Sequence, residues 1–584
     1  MKNIFLLIFL SLFVYTSCED NKEEDETNSI EPNPNEVVLW GVAYSIEDTD
    51  SLDLSLNQLS GTIPPEIGDL TNLVFLNLGQ NNLVGPIPSE MGNLINLKKI
   101  DLSYNLLDGS IPSEIGKMVN LTYFDFSNNI LNGTLPSELQ HLTNLSYLNL
   151  TSNELTGSIH PIVSNMEDII VLNLSHNNFT DIIPLEIGNL TFLTYLDLSY
   201  NQLTEYIPLE IGNSTFLTYL DLSYNQLTDY IPPEISNLIN LTELNLSNNE
   251  LTGPIPSEVG ALTNLVFLNL SDNNLTSIPS EIGNLTKLKS LNLKANSLTG
   301  YIPIEIGSLI NLTSLILSYG SLEGPIPATI GNLVNLVELR LDSNDLTGGI
   351  PSAIGSLVEL TYLGLGYNSL GGVIPPEIGN LVNVEILHLT SIYFEGQLPE
   401  EIGNLTSLTE LFIQQNYQLT GPIPSAIGNL SNLRWFNAMS CGFNGSLPPE
   451  IGDLSKLEYL NISENSLTGS IPKEIANCSS LINLDLRYNQ LTGSIPPELG
   501  DAPNLESLGA AYNQLSGDIP DEIWEIPSLD LRYNYLTGTF NETQCAKAYV
   551  YGNLFCTSMP IGLLGTYCEG EPKNHRLQNP GDCD

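Results

Sequence analysis

The stretch LVFLNLGQNNL, residues 73–83, decides the fold because its frame returns along almost the whole chain. Its Asn81 occupies a position, here called the Asn slot, that recurs every 24 residues, apart from intervals of 23 before Asn296, 25 before Cys441 and 21 before Asn534. The slot holds another residue only at Gly320, Ile392 and Cys441. Asparagine fills it at Asn57, Asn81, Asn105, Asn129, Asn153, Asn177, Asn201, Asn225, Asn249, Asn273, Asn296, Asn344, Asn368, Asn416, Asn465, Asn489, Asn513 and Asn534.

Each unit reads L-x-x-L-x-L-x-x-N-x-L-x-G-x-I-P-x-x-I-G-N-L-x-x, and its letters predict its local structure. The alternating L-x-L has the period of a strand with one buried face. The Asn side chain can satisfy backbone groups where the chain bends, and Gly and Pro then make the turn. No single unit can bury its apolar side alone, so the units must stack into an elongated solenoid.

This repeat resembles the leucine-rich repeat, in the L-x-G-x-I-P variant of plant receptor ectodomains and polygalacturonase-inhibiting proteins. The resemblance covers residues 51–540, about 21 repeats. It implies an α/β solenoid, a superhelix with a parallel β-sheet on the concave face and short helical or 3₁₀ turns on the convex face. It also implies recognition of proteins or glycans rather than catalysis.

Composition restricts the partners. The 584 residues include 17 Lys and Arg against 67 Asp and Glu, which gives a formal net charge of −50. Such an acidic surface repels phosphate backbones, so no nucleic-acid partner is expected. An apolar share of 42% argues against a disordered chain.

The first residues have the composition of an export signal. Residues 1–17 combine Lys2 with a short apolar run, which predicts a signal peptide rather than a membrane span. Small residues before Cys18 resemble the bacterial lipobox, although Tyr15 replaces its usual aliphatic residue, and imply lipid attachment to Cys18. The acidic stretch in the tether, residues 18–36, resembles the surface-export signal of Bacteroidetes lipoproteins. The alternative is an ordinary signal peptide with a spare cysteine and a solvated linker.

Both ends of a solenoid need caps. Residues 37–50 are the predicted N-terminal cap, and residues 541–584 are the predicted C-terminal cap. Four cysteines in the latter predict two disulfides with three possible pairings, and a zinc site is the rival interpretation. The cysteines are Cys545, Cys556, Cys568 and Cys583. Cys441 and Cys478, inside repeats, are interpreted as buried thiols.

The sequence contains no motif that would support catalysis. The five histidines are not paired as in H-E-x-x-H, and no phosphate-binding loop is present. A glutamate follows the Asn slot by nine positions in most units, which suits the start of an outer helical turn. We therefore expect a protein that is not an enzyme and has no cofactor or metal site, while calcium binding by this glutamate column stays open.

Departures from the repeat cluster between residues 312 and 445. The Asn slot is lost three times there, and the Asn/Asp column four positions before the slot becomes Ile316, Arg340, Gly364, His388 and Phe412. Aromatic residues and arginine are enriched at binding hot spots, so the sequence predicts a ligand-binding patch; drift in a tolerant array is the alternative. The candidate residues are Tyr319, Arg340, Tyr362, Tyr367, His388, Tyr393, Phe412, Arg434 and Trp435.

A second aromatic stripe lies in two nearly identical units. Tyr195, Tyr200, Tyr219 and Tyr224 could hold a sugar ring or a peptide, and a recent duplication explains them equally well.

These observations predict an exported recognition or adhesion module that binds an extracellular protein ligand through its concave face. A polysaccharide ligand and a structural envelope protein without a specific ligand are the alternatives. We expect a surface lipoprotein on the outer membrane of a bacterium, attached to the membrane only by its N-terminal lipid; a freely secreted protein is the alternative.

Overall fold

A computed structural model describes residues 35–538, 548–550 and 552–554. Every repeat begins with a short strand, and each of these strands pairs in parallel and in register with those of the neighbouring repeats to form, in the described residues, one sheet of 22 strands. The prediction of a parallel solenoid sheet is thus confirmed. The strands of this concave sheet are Ser51–Asp53, Phe75–Asn77, Lys99–Asp101, Tyr123–Asp125, Tyr147–Asn149, Val171–Asn173, Tyr195–Asp197, Tyr219–Asp221, Glu243–Asn245, Phe267–Asn269, Ser290–Asn292, Ser314–Ile316, Glu338–Arg340, Tyr362–Gly364, Ile386–His388, Glu410–Phe412, Trp435–Asn437, Tyr459–Asn461, Asn483–Asp485, Ser507–Gly509, Ser528–Asp530 and Ala548–Tyr549.

Further short strands follow the Asn slot and form several small parallel sheets beside the concave sheet. They are Ser60–Gly61, Asn82–Pro86, Leu106–Asp108, Asn132–Thr134, Glu154–Gly157, Asn178–Phe179, Thr204–Glu205, Gln226–Leu227, Thr252–Gly253, Asn274–Leu275, Thr299–Tyr301, Ser321–Gly324, Asp345–Leu346, Gly396–Gln397, Leu419–Gly421, Gly442–Ser446, Ser466–Thr468, Thr492–Gly493, Gln514–Asp518 and Tyr535–Thr537.

The outer turns after Ile-Pro are 3₁₀ helices, with one α-helix at His160–Val163. The glutamate column lies in their first turns, as at Glu66 and Glu90, where a carboxylate suits the free N–H groups. Their glycines let successive turns pack closely, since a Cβ on Gly92 would lie 2.5 Å from the backbone oxygen of Glu114. The 3₁₀ helices are Pro65–Asp69, Ser89–Asn93, Ser113–Lys117, Ser137–His141, Leu185–Asn189, Leu209–Asn213, Pro233–Asn237, Ser257–Ala261, Ser280–Asn284, Ile304–Ser308, Ala328–Asn332, Ser352–Ser356, Pro376–Asn380, Glu400–Asn404, Ser425–Asn429, Pro449–Asp453, Lys473–Asn477, Pro497–Asp501 and Asp521–Glu525.

The core is one continuous stack of buried leucines and isoleucines that runs through all the repeats. In the region of the predicted N-terminal cap, Glu36–Leu39 and Val42–Ser45 form an antiparallel hairpin. Val37 and Leu39 of this hairpin are buried members of the same core. The hairpin therefore covers the apolar end of the first repeat.

The slot asparagines join each repeat to the one before it, and we call this set of bonds the slot ladder. The Oδ1 atom of Asn201 accepts a hydrogen bond from the backbone N–H of Phe179, in the preceding repeat, at 3.0 Å. Its Nδ2 atom donates to the carbonyl oxygens of Leu174 and Leu198 at 3.0 and 3.1 Å. One buried side chain thus satisfies backbone N–H and carbonyl groups of two repeats that are buried and need hydrogen-bond partners.

The residue directly before the slot adopts a left-handed conformation in every described repeat, with φ between 51° and 63°. Tyr200 and Tyr224 are examples, with φ of 51° and 53°. Because branching at Cβ is disfavoured in this region, the absence of Val, Ile and Thr from this column has a steric reason. We call these residues the left-handed column; each lies just after the end of the concave strand of its repeat.

A second set of asparagines, nine positions before the slot, makes a further ladder along the flank of the solenoid. In each, Nδ2 donates to the backbone carbonyl 25 or 26 residues earlier, at 2.7–3.0 Å. We call this the flank ladder; besides Asn72, which donates to the carbonyl of Glu47 at 3.0 Å, its members are Asn96, Asn120, Asn144, Asn240, Asn264, Asn311, Asn335, Asn383, Asn432 and Asn504.

Candidate functional site

In the regular repeats, the concave side chains mainly bond to one another. Asp197 accepts hydrogen bonds from the backbone N–H and the hydroxyl of Ser199, at 3.0 and 2.7 Å. Burial raises the pKa of Asp197, although its bonds to Ser199 act in the opposite direction. Asn245 likewise donates to Asp221 in the neighbouring repeat at 2.9 Å. Side chains engaged in this way mainly stabilise the sheet.

From Glu338 to Tyr459, this regular pattern is replaced by a group that we call the concave patch: Glu338, Arg340, Asp342, Tyr362, His388, Phe412, Trp435 and Tyr459. Its first element is an arginine that lies over an aromatic ring. The guanidinium carbon of Arg340 lies 3.9 Å from the ring centre of Tyr362, and Nε of Arg340 donates to Oε1 of Glu338 at 2.5 Å. The ring and the carboxylate together fix the arginine in one orientation.

An Asp–His pair spans a whole repeat in the middle of the patch. Nδ1 of His388 lies 3.1 Å from Oδ1 of Asp342, two repeats earlier, and the backbone N–H of Gly366 donates to the same oxygen at 3.1 Å. The intervening repeat has glycine at two of its concave positions, Gly364 and Gly366. A Cβ on Gly364 would lie 2.3 Å from Oδ2 of Asp342, so glycine there gives the carboxylate room to reach the histidine.

Aromatic rings continue the patch on both sides of this pair. The ring of His388 meets Tyr367 and Phe412 edge-on, with centroids 5.9 Å apart in both cases. Trp435 lies 4.1 Å from Tyr459 and is 39% exposed. Half-buried rings of this kind offer apolar area that is already ordered before a ligand binds.

Burial also shifts the pKa of one phenol of the patch. It raises the pKa of Tyr362, and the charge of Asp342 acts in the same direction. The Tyr362 hydroxyl, like an ordinary phenol, can donate a hydrogen bond at physiological pH, and the shift extends this to more alkaline pH.

Five of the nine candidate residues predicted from the sequence lie on concave strands: Arg340, Tyr362, His388, Phe412 and Trp435. The other four lie at the margins. Tyr319 and Tyr367 occupy the left-handed column and are 58% and 50% exposed. Tyr393 follows the slot residue Ile392, beyond the concave strand, and Arg434 directly precedes the strand Trp435–Asn437.

The positive charges of the two candidate arginines are largely neutralised by pairing with glutamates. Arg434 donates from Nε and Nη2 to Oε1 of Glu458 at 2.9 and 2.7 Å, and Arg340 is paired with Glu338 as described above. Glu338 and Glu458 belong neither to the Asn/Asp column nor to the glutamate column, so the sequence patterns described above did not include them. The patch is therefore defined by ordered rings and ion pairs more than by net positive charge.

Sequence reasoning missed Glu338 and Asp342, and it missed a column of altered residues two positions before the slot. Serine is the usual residue in this column, but five consecutive repeats have Asp342, Gly366, Thr390, Gln414 and Met439. Oγ1 of Thr390 and Oε1 of Gln414 are buried without a hydrogen-bond partner. Following this column as well as the Asn/Asp column would have singled out Asp342, but not its contact with His388 two repeats away.

The second predicted aromatic stripe consists of two separate stacks. Tyr195 and Tyr219 stack on the concave strands, with centroids 4.3 Å apart and planes within 5°. His176, Tyr200 and Tyr224 stack in the left-handed column at 4.2 and 4.1 Å. Because both faces of Tyr200 are covered by neighbouring rings, a ligand can reach only its edge and hydroxyl.

The two cysteines inside repeats are buried and unpaired. Cys441 fills an Asn slot, and its Sγ atom donates to the carbonyl of Ile413 at 3.1 Å, which replaces one bond of the slot ladder. Sγ of Cys478 similarly donates to the carbonyl of Ile451 at 3.1 Å. Burial raises the pKa of each thiol to about 12, so both stay protonated and serve structure rather than nucleophilic chemistry.

Several predicted features lie outside the described residues. These are the signal peptide, lipid attachment at Cys18 and the disulfide candidates Cys545, Cys556, Cys568 and Cys583. Within the part of the chain that the structure describes, no cluster of His, Cys, Asp and Glu is suited to a metal ion. In the same part, no helix has the length and apolarity needed to span a bilayer.

The repeats match known sequence families. The family model Leucine Rich Repeat matches residues 50–70, 72–94, 96–118, 120–142, 144–166, 168–190, 192–214, 264–285, 287–309, 335–357, 359–381, 456–478 and 480–502. A model described as Leucine Rich repeats (2 copies) matches residues 215–257. No curated protein sequence matches the chain.

Solved structures of plant receptors share the fold. The plant peptide hormone receptor RGFR1, in complex with RGF2, is 34% identical, with a TM-score of 0.73 over 86% of this chain and 90% of the receptor chain. The Arabidopsis receptor kinase HAESA, in complex with the peptide hormone IDA and the co-receptor SERK1, is 32% identical, with a TM-score of 0.73 and coverage of 89% and 93%. PEPR1, in complex with AtPEP1, is 30% identical, with a TM-score of 0.62 and coverage of 86% of both chains. The chain therefore belongs to the leucine-rich repeat family, with the solenoid fold of plant receptor ectodomains.

Proposed function

We propose that the protein is a non-catalytic, extracellular recognition module that binds a protein ligand through the concave patch. The observation that carries this proposal is the replacement of the self-bonded Asn/Asp column by Arg340 lying over Tyr362, by the hydrogen-bonded Asp342–His388 pair and by Phe412. Sheet stability alone does not require this change, because the regular repeats form the same sheet without it. Three structural relatives in complex with peptide ligands support a ligand of this class.

Removing a ring from the patch should weaken binding strongly. Peptides selected on the intact protein from a random phage-displayed library are the probe. Phe412→Ala and Trp435→Ala are each expected to raise the Kd of the tightest peptides about 30-fold, since truncating a hot-spot residue costs about 2 kcal/mol. Titration calorimetry gives the Kd directly.

Phe267→Ala is the matched control, because Phe267 is a concave ring in a regular repeat outside the patch. It should leave the Kd within about twofold of the original value, and urea unfolding checks that all three variants fold. Unchanged affinity in both patch variants would refute the proposed site.

The tyrosine stacks favour a protein over a polysaccharide. Sugar rings bind best to an open aromatic face, whereas the faces of Tyr200 are taken by His176 and Tyr224. Only the ring edge and the hydroxyl of Tyr200 stay accessible to a ligand, and the hydroxyl suits hydrogen bonds to a peptide. A glycan array probed with the intact protein separates the two ligand classes, since a defined glycan bound at micromolar concentration would replace the protein ligand in the proposal.

The proposal includes export and attachment to a bacterial outer membrane through lipid on Cys18. Its support is the sequence alone: an apolar leader, small residues before Cys18 and an acidic tether. In the natural host, Cys18→Ala is expected to move the protein from the membrane fraction to the soluble fraction and to abolish a lipid-modified mass. If the unaltered chain is secreted without lipid, the protein is a diffusible binder instead.

A further inference from the structure

The flank ladder is broken in two adjacent repeats by exposed aromatic residues. Phe192 and Phe216 occupy the position that holds asparagine in eleven other repeats, and they are 54% and 55% exposed. An asparagine there would reach the carbonyls 25 residues earlier, those of Glu167 and Thr191, by the geometry of the intact ladder. Each repeat thus has a water-exposed ring in place of a structural hydrogen bond.

The two rings form one side of a depression on the flank of the solenoid. Ile170, which is 43% exposed, lies beside them, and Asp168 and Thr194 complete the lining of a cavity of about 390 Å³. Asp168 occupies the same ladder position in the preceding repeat. An exposed apolar depression with a carboxylate at its margin has the composition of an interaction site rather than of a structural flank.

The charge of this part of the chain indicates which partner fits. Between Lys117 and Lys287 there is neither Lys nor Arg, whereas the interval contains 18 Asp and Glu residues. The acidic residues of this part of the chain would repel an acidic partner surface. They would attract a partner surface that carries Lys or Arg around an apolar centre. A second copy of the chain, with its formal charge of −50, is disfavoured for the same reason.

We propose that Phe192, Phe216 and Ile170 form a docking site for a partner protein whose contact segment carries aliphatic or aromatic side chains next to Lys or Arg. The rings would take the apolar side chains, and Asp168 would pair with a cation at the margin. This site lies on the flank and several repeats before the concave patch, so it adds a second surface to the proposed function and does not depend on it.

The test uses a variant that should be at least as stable as the original. Phe192→Asn/Phe216→Asn restores the ladder asparagine at both positions, so thermal unfolding should show an unchanged or higher Tm. A random peptide library is first depleted on this double variant and then selected on the unaltered protein. We expect enriched peptides with Lys or Arg beside apolar residues that bind the unaltered protein at least tenfold more tightly than the double variant.

Ile310→Asn is the matched control, because it removes another exposed apolar side chain that is 53% accessible, from the flank of a repeat in which the ladder is intact. It should bind the enriched peptides like the unaltered protein. Failure to enrich any peptide, or enrichment of peptides without basic residues, would overturn the proposal. Light scattering that shows a dimer lost in the double variant would also overturn it, because the occupant would then be a second copy.

Discussion

Asn249→Ala is expected to lower the free energy of unfolding by about 3 to 5 kcal/mol, which is a large effect for one exchange of a polar residue. The side chain of Asn249 accepts from the backbone N–H of Leu227 at 3.0 Å and donates to the carbonyls of Leu222 and Leu246 at 3.0 and 3.2 Å. Alanine would leave these buried backbone groups without partners and with no access to water.

Asn240→Ala in the same repeat provides the control. Its Nδ2 atom makes one exposed bond, to the carbonyl of Thr215 at 2.9 Å, and water can replace that bond after substitution. We expect a loss of about 1 kcal/mol or less. Urea unfolding followed by circular dichroism measures both variants, and equal losses would show that the slot ladder has no special part in stability.

Phe126→Ala should be comparably severe, with an expected loss of about 3 to 5 kcal/mol. Phe126 is fully buried at a position where neighbouring repeats have Leu102 and Leu150, and its ring meets Phe124 edge-on at a centroid distance of 4.1 Å. Alanine would open a cavity that the strands above and below cannot close, because their register is fixed on both sides.

Phe126→Leu tests whether volume is the cause. Leucine restores the residue usual at this position, so we expect a loss of less than about 1.5 kcal/mol. Chemical denaturation of the two variants compares the cavity with the conservative exchange. Similar losses for both would mean that the Phe124–Phe126 contact, rather than the filled volume, stabilises this repeat.

The repeat spacing was enough to predict the solenoid, because leucines at fixed intervals have only one way to be buried together. The same spacing gave the concave position of Arg340, Phe412 and Trp435. The Asp342–His388 pair was not predicted, since it depends on the space left by glycines in the repeat between them.

The flank ladder was also not visible in the sequence. Asn96 and its equivalents look like ordinary loop residues, and their acceptor is a backbone carbonyl about 25 residues earlier that comes within reach only when the coils stack. Phe192 could therefore be recognised as a candidate docking residue only from the structure. Its exposed ring stands out because other repeats have a hydrogen-bonded asparagine at the same position. Sequence patterns identify which residues recur, whereas the stacked structure shows what each recurrence does.

The slot ladder has a mechanical consequence. Each of its asparagines bonds only within its own repeat and to the one before, so no bond of this ladder reaches across several coils. A pulling force applied at one end is resisted by the terminal coil and its single neighbour, not by the whole array. Such a solenoid gives way coil by coil and releases about 80 Å of chain with each. It can therefore lengthen under shear while the remaining coils stay folded and keep their surfaces intact.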